Sequence, residues 1–193
     1  MFSKLADKVA DIVVESGKAD KESRDIYSYG INQALTVVLD LVTTLIIGIC
    51  FHMLWQILLF VGAYVPLRSF CGGVHAKTPL RCYASSVVLL IAVELAVKNY
   101  MPSGYIFIAA YVISALLILA LSPVEDLNKP LDDIEQKVYK RRSLVIWLVG
   151  SVLILVLYLL KFKTASLCIL LSQAVLAAML ILGVIKNRVI SAR

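Results

Sequence analysis

Residues Leu144–Leu160 read LVIWLVGSVLILVLYLL, and Lys161-Phe162-Lys163 separates them from a second apolar run over Ala165–Ile185. A helix of about 18 uncharged residues, rising about 1.5 Å per residue, is long enough to cross the hydrocarbon core of a bilayer. The three residues between these runs are too few for anything but a tight hairpin. Working outward, four more apolar runs precede them: Ala34–Phe51, Met53–Leu67, Tyr83–Val97 and Tyr105–Leu121. The first two nearly fuse around His52; together they are too long for one crossing and a little short for two. Tyr100-Met101-Pro102-Ser103-Gly104 is a turn, and Ser122–Arg142 is a polar, charged connection. Over all 193 residues, 61% are hydrophobic and 17% charged, against roughly half and a quarter in soluble domains. The expected fold class is therefore all-α. It is a polytopic membrane protein with six transmembrane helices across 34–185, forming a single membrane domain over 1–193.

Met1–Gln33 is polar but carries an apolar stripe, Phe2, Leu5, Val9, Ile12 and Val13, at helical spacing. Two readings stand: an amphipathic helix on the membrane surface, or a helix packed against the protein's own loops. The stretch lacks an apolar signal-peptide core, so no cleavable signal is expected. The net charge is +6, from 19 Lys and Arg against 13 Asp and Glu. No basic stripe is interleaved with exposed aromatics, so nucleic acid is not an expected partner. The basic residues belong beside the lipid bilayer. Sixteen of the nineteen fall in the N-terminal segment, the 68–81 loop, the 122–142 connection and the C-terminus; Lys98, Lys161 and Lys163 fall on the other side. That asymmetry predicts a multi-pass cell-membrane protein with both termini and the 68–81 loop in the cytoplasm.

The loop holds the chemistry. Arg68-Ser69-Phe70-Cys71-Gly72-Gly73-Val74-His75-Ala76-Lys77-Thr78-Pro79-Leu80-Arg81-Cys82 has a histidine, two cysteines, a glycine pair and basic residues between two membrane segments. Thiol catalysis needs a thiolate within hydrogen-bonding reach of a base. On one continuous helix, His75 and Cys82 would share a face but stand about 10 Å apart along the axis. The chain must break between them. Gly72 and Gly73 permit unusual backbone angles, and Pro79 disfavours helix at Thr78. Thr78 then fits as an N-cap with Pro79 at the first helical position. Cys82 falls in the first turn of a membrane helix, where the helix dipole and the adjacent Arg81 favour thiolate over thiol. Cys71 lacks these features, and Cys50 and Cys168 lie inside apolar runs as small hydrophobes. Spacing alone leaves a non-catalytic loop open.

The run Arg68…Gly72-Gly73-Val74-His75-Ala76…Cys82 resembles the signature of the accessory gene regulator B (AgrB) family, membrane peptidases that process a quorum-sensing peptide precursor. The matching positions are Arg68, Gly73, His75 and Cys82. Ser122-Pro123…Asn128-Lys129-Pro130 followed by Lys140-Arg141-Arg142 is also similar to the family. The resemblance implies Cys82 as nucleophile and His75 as general base of a cysteine endopeptidase. It further implies a small amphipathic, AgrD-like precursor peptide, cleaved through a thioester and cyclised to a thiolactone or lactone.

Other residues carry weaker expectations. Asp40 lies inside an apolar run, which makes it a candidate for orienting His75, or for pairing with Arg68 or a loop lysine. Lys140, Arg141 and Arg142 are candidates for binding an acidic tail of the precursor, or for membrane anchoring. No cofactor and no metal site are expected, since His52 and His75 fall on opposite sides of the membrane. The homodimer is one assembly open to the chain. The rival functions are a non-catalytic peptide carrier or exporter, and a membrane assembly subunit.

Overall fold

The computed structural model describes residues 2–17, 20–74, 78–125 and 132–191. Seven α-helices account for most of them: α1 Ser3–Glu15, α2 Arg24–Cys50, α3 Leu54–Cys71, α4 Pro79–Asn99, α5 Gly104–Leu121, α6 Asp133–Leu159 and α7 Lys163–Ser191. The described residues form no strands, and α2 to α7 are each long and apolar enough to cross a membrane. The expected all-α, six-span architecture is the one observed. Rows of large apolar side chains face outward, among them Val38 and Leu41 on α2, Ile108 and Val112 on α5, and Leu148 and Val152 on α6. In water such continuous apolar cover would be untenable; in hydrocarbon it costs nothing.

The doubtful hairpin at His52 resolves into two helices. Residues 51–53 form the turn: His52 takes a left-handed φ of 58° and the Met53 amide donates back to the Gly48 carbonyl at 2.8 Å. Gly48 lets α3 fold back closely, since a Cβ there would lie 2.8 Å from Ile57 Cγ2. The α6–α7 hairpin is as tight as expected, turning on Lys161 at φ 65°.

α7 is the centre of the bundle. Half of its apolar window is buried, against 22% or less in every other span, and it packs on α3, α4, α5 and α6. α2 lies outside, against α3 and α4. One core cluster joins Ile57, Phe60, Leu90, Val93 and Cys168. A second, toward the 72–78 end, joins Leu67, Cys71, Ile118, Val124, Leu176 and Leu180.

The spans run longer than their apolar runs because the helices continue past the hydrocarbon. α2 begins at Arg24, and this polar extension receives α1. The two helices run antiparallel: the Phe2 amide donates to Asn32 Oδ1 at 3.0 Å, Ser28 donates to Asp7 at 2.6 Å, and Arg24 pairs with Asp11 at 2.6 Å. The hydrogen bond and charge of Arg24 hold the Asp11 carboxyl below its ordinary 3.8. Small Ala6 and Ala10 are the residues buried in this contact, while Leu5, Val9 and Ile12 of the apolar stripe stay exposed. α1 thus packs on its own chain through its alanines rather than through the large residues that mark its amphipathic face.

Candidate active site

The end of α3 and the start of α4 are separated by a real break. α3 stops at Cys71 and α4 starts at Pro79, capped by Thr78, whose hydroxyl accepts from the Arg81 amide at 3.4 Å. The Cys82 amide donates to the Thr78 carbonyl at 3.1 Å, so Cys82 sits in the first turn of α4, half-buried. This is the helix start that Thr78 and Pro79 dictate locally. Tyr83, next along, shares a 2.8 Å hydrogen bond with Thr43 of α2 and fixes that first turn against its neighbour.

The glycine pair works by conformation and by clearance. Gly72 and Gly73 hold φ values of 75° and 122°, which other residues rarely adopt. A Cβ on Gly72 would overlap the Val124 carbonyl, and one on Gly73 would stand 3.3 Å from the Met179 carbonyl of α7. The chain is tied down on both sides here. The Val124 amide donates to the Cys71 carbonyl at 2.9 Å, and the Val74 amide donates to the Met179 carbonyl at 3.2 Å. Gly183 of α7 leaves the room: its missing Cβ would lie 3.1 Å from the Gly73 carbonyl carbon.

Arg68 spans the break. One guanidinium nitrogen donates to the Tyr64 hydroxyl at 3.0 Å and another to the Val74 carbonyl at 2.8 Å. The residue thereby fixes the peptide that leads into position 75. The Cys82 thiol lies within electrostatic range of the same Tyr64 hydroxyl. Arg68, Tyr64, Val74 and Cys82 therefore share one locality at the Gly72 end of the bundle. His75 and Lys77 lie outside the described residues.

The other sequence candidates separate. Asp40 is exposed on α2; the Arg68 guanidinium goes to Tyr64 and Val74 instead, and the ion pairs among the described residues join Arg24 to Asp11 and Asp25. Lys140 is committed elsewhere: its ammonium donates to the Leu119 and Ser122 carbonyls at 2.6 and 2.5 Å, capping the C-terminus of α5. Arg141 and Arg142 remain exposed and line an open groove of about 380 Å³ with Phe70, Val138, Val145 and Ile146. The Arg142 guanidinium stacks 5.3 Å from the Phe70 ring centre. Cys71 is fully buried against the Ser122 and Ser143 hydroxyls. Among the described residues no three His, Cys, Asp or Glu side chains gather as metal ligands.

Sequence reasoning missed Tyr64, Val124, Met179 and Gly183. Tyr64 stands one helical turn before Arg68, a spacing that could have suggested the pair. The other three meet the loop from far along the chain, where no local signal points to them.

The Accessory gene regulator B sequence profile matches residues 6–183. Among similar proteins, "Putative AgrB-like protein 2" of Clostridium perfringens is 23% identical over 169 residues, covering 82% of this chain and 79% of its own. "Protein FsrB" of Enterococcus faecalis is 24% identical over 186 residues, covering 95% and 75%. "Accessory gene regulator protein B" of Staphylococcus lugdunensis is 25% identical over 126 residues, covering 65% and 67%. No solved structure matches. With the profile spanning nearly the whole chain, loop and helices alike, the protein belongs to the accessory gene regulator B family.

Proposed function

We propose that this protein is a membrane-embedded cysteine endopeptidase that matures a quorum-sensing precursor peptide of the AgrD type. Cys82 is the nucleophile and His75 the general base. The observation that carries the reading is the Arg68 clamp: it holds the Val74 carbonyl at 2.8 Å, one residue before His75, in the locality of Cys82. Family membership supports the precursor as substrate. Cys82 also lies in the first turn of α4, at a helix N-terminus whose positive dipole end suits negative charge that develops on a reacting carbonyl oxygen.

The chemistry runs in two transfers. The Cys82 sulfur attacks a peptide carbonyl of the precursor, and the C–N bond breaks. The departing amine takes a proton from the His75 imidazolium, and the C-terminal fragment leaves. A thiol or hydroxyl within the bound acyl segment then gives its proton to His75 and attacks the thioester; the C–S bond to Cys82 breaks, the ring closes, and the released Cys82 sulfur takes the proton back. A partly dry site disfavours water as the competing nucleophile. Arg68 is a positioning residue in this scheme, acting through the backbone beside His75. The site faces the cytoplasm, the side on which the basic residues collect.

Co-expression with the precursor and mass spectrometry tests the reading. Cys82→Ala and His75→Ala should each abolish cleavage, and an acyl adduct should be trapped on Cys82 of the wild-type protein. Cys71→Ser, whose side chain is buried against Ser122 and Ser143, should still cleave. Full cleavage by Cys82→Ala would overturn the assignment and leave a peptide carrier as the better account.

A further inference from the structure

A second site lies inside the membrane region, away from Cys82. A cleft of about 220 Å³ opens between α3, α6 and α7. Its walls are kept apart by small residues, Gly62 and Ala63 on α3 and Gly150 on α6. Gly62 lies midway along α3, hence near the middle of the bilayer. A Cβ on Gly62 would meet nothing within 4 Å, whereas one on Gly150 would stand 3.1 Å from Gln173 Nε2.

The polar lining is unbalanced. Gln173 of α7 is 1% exposed, and its Oε1 is buried with no hydrogen-bond partner among the described residues. Its Nε2 faces the Ser151 hydroxyl at 3.5 Å, and that hydroxyl itself donates to the Trp147 carbonyl at 2.9 Å, which suits an amide with its nitrogen toward Ser151. Ser172 spends its proton on the Ile169 carbonyl at 2.7 Å. Pro66 has no N–H to return to the Gly62 carbonyl one turn earlier. The cleft therefore offers acceptors and few donors. An acceptor left unpaired in a low-dielectric interior is costly, and a donor brought to it recovers that cost.

We infer that this cleft is an intramembrane docking subsite for the precursor peptide, taking an apolar segment that brings an N–H or O–H donor to Gln173 Oε1. The rim side chains Val149 and Leu153 are exposed, so the cleft is reached sideways from the hydrocarbon, where an amphipathic peptide resides. A lipid acyl chain could fill the volume but carries no donor for Gln173. A peptide supplies both the apolar bulk and the donor. The inference rests on the endopeptidase reading for the identity of its ligand, and it adds a binding determinant, Gln173, six residues before Met179 on α7.

The test uses the full chain in nanodiscs with the precursor. A photoreactive benzophenone side chain at Leu153, in a Cys82→Ala background, should crosslink to the precursor and be competed by unlabelled precursor. Gln173→Met keeps the volume and removes the stranded acceptor, so the protein should melt no lower than wild type. In the otherwise wild-type enzyme it should raise KM about tenfold with little change in kcat, the loss of one buried hydrogen bond. Gly62→Leu, whose Cβ meets nothing within 4 Å and whose side chain extends from the cleft wall, should do the same. Crosslinking to lipid alone, or an unchanged KM in both variants, overturns the proposal. A wild-type protein that crosslinks to the precursor but never cleaves it would sink the peptidase reading and leave the subsite standing.

Discussion

Replacing Gly72 by alanine tests whether the path of the loop is enforced by its backbone. Two penalties can be worked from the structure. At φ 75° and ψ −143° an L residue costs about 1–3 kcal/mol that glycine does not. The new Cβ would also overlap the Val124 carbonyl, so the 122–124 segment must retreat and strain its 2.9 Å bond to Cys71. A lost backbone hydrogen bond is worth about 0.5–1.5 kcal/mol. Together they amount to about 1.5–4.5 kcal/mol, a factor of roughly ten to two thousand in the opening equilibrium of the 71–74 backbone. The Val74 amide reports that opening directly, because it is bonded to the Met179 carbonyl. Hydrogen exchange in nanodiscs should show its protection falling by that factor. Gly30→Ala, on α2 with nothing within 4 Å of the added carbon, is the matched control and should leave Val74 untouched. Protection at Val74 that changes less than threefold in Gly72→Ala would refute the claim that this glycine holds the loop in place.

Lys140→Met removes the cation that caps α5 at Leu119 and Ser122. The expected loss is about 1.5–3 kcal/mol of stability, read as a lower Tm, with precursor cleavage retained below the new midpoint. An unchanged Tm would show that those carbonyls need no cap. Acid should release α1 from α2. The Asp11 carboxyl is held below its ordinary 3.8 by Arg24, so its contribution is present above that pH and is lost as pH falls through the depressed folded value. Protease cutting near 17–20 should rise in that acid range in wild type; if Asp11→Asn is as resistant as wild type at neutral pH, the pair is not what holds α1.

What could be read from the sequence was what local chemistry decides. Uncharged runs gave the six spans, and Thr78-Pro79 gave the start of α4, because span length and N-capping depend on neighbours in the chain. The glycine pair was legible as a break but not as a fit. Nothing near Gly72 announces the Val124 carbonyl, and nothing near Gly73 announces α7. Lys140 shows the same divide: in sequence it belongs to a basic cluster with Arg141 and Arg142, yet in space its ammonium is bound by carbonyls of a different helix. The apolar stripe of α1 left open which side packs on the chain: Ala6 and Ala10 do, while Leu5, Val9 and Ile12 stay exposed. The expected approach of His75 to Cys82 involves a residue outside the described ones.

α7 links the two sites in a way that the motif alone does not suggest. Irregular backbone at the end of a membrane bundle is tolerated only where its polar groups find partners within the protein. Residues 71–74 find theirs on the 122–124 segment and at Met179 of α7, with Gly183 making room one turn later. Gln173, which lines the intramembrane cleft, stands on the same helix six residues before Met179, about 9 Å along its axis. Because α7 is the most buried span and packs on α3, α4, α5 and α6, it has little freedom to shift without disturbing all of them. A peptide that altered the seating of α7 through Gln173 would therefore act on the Val74 amide held by Met179, and through that residue on the carbonyl that Arg68 clamps, by way of one rigid element. Binding in the bilayer and alignment at the thiol would then be coupled by packing, with no separate moving part required.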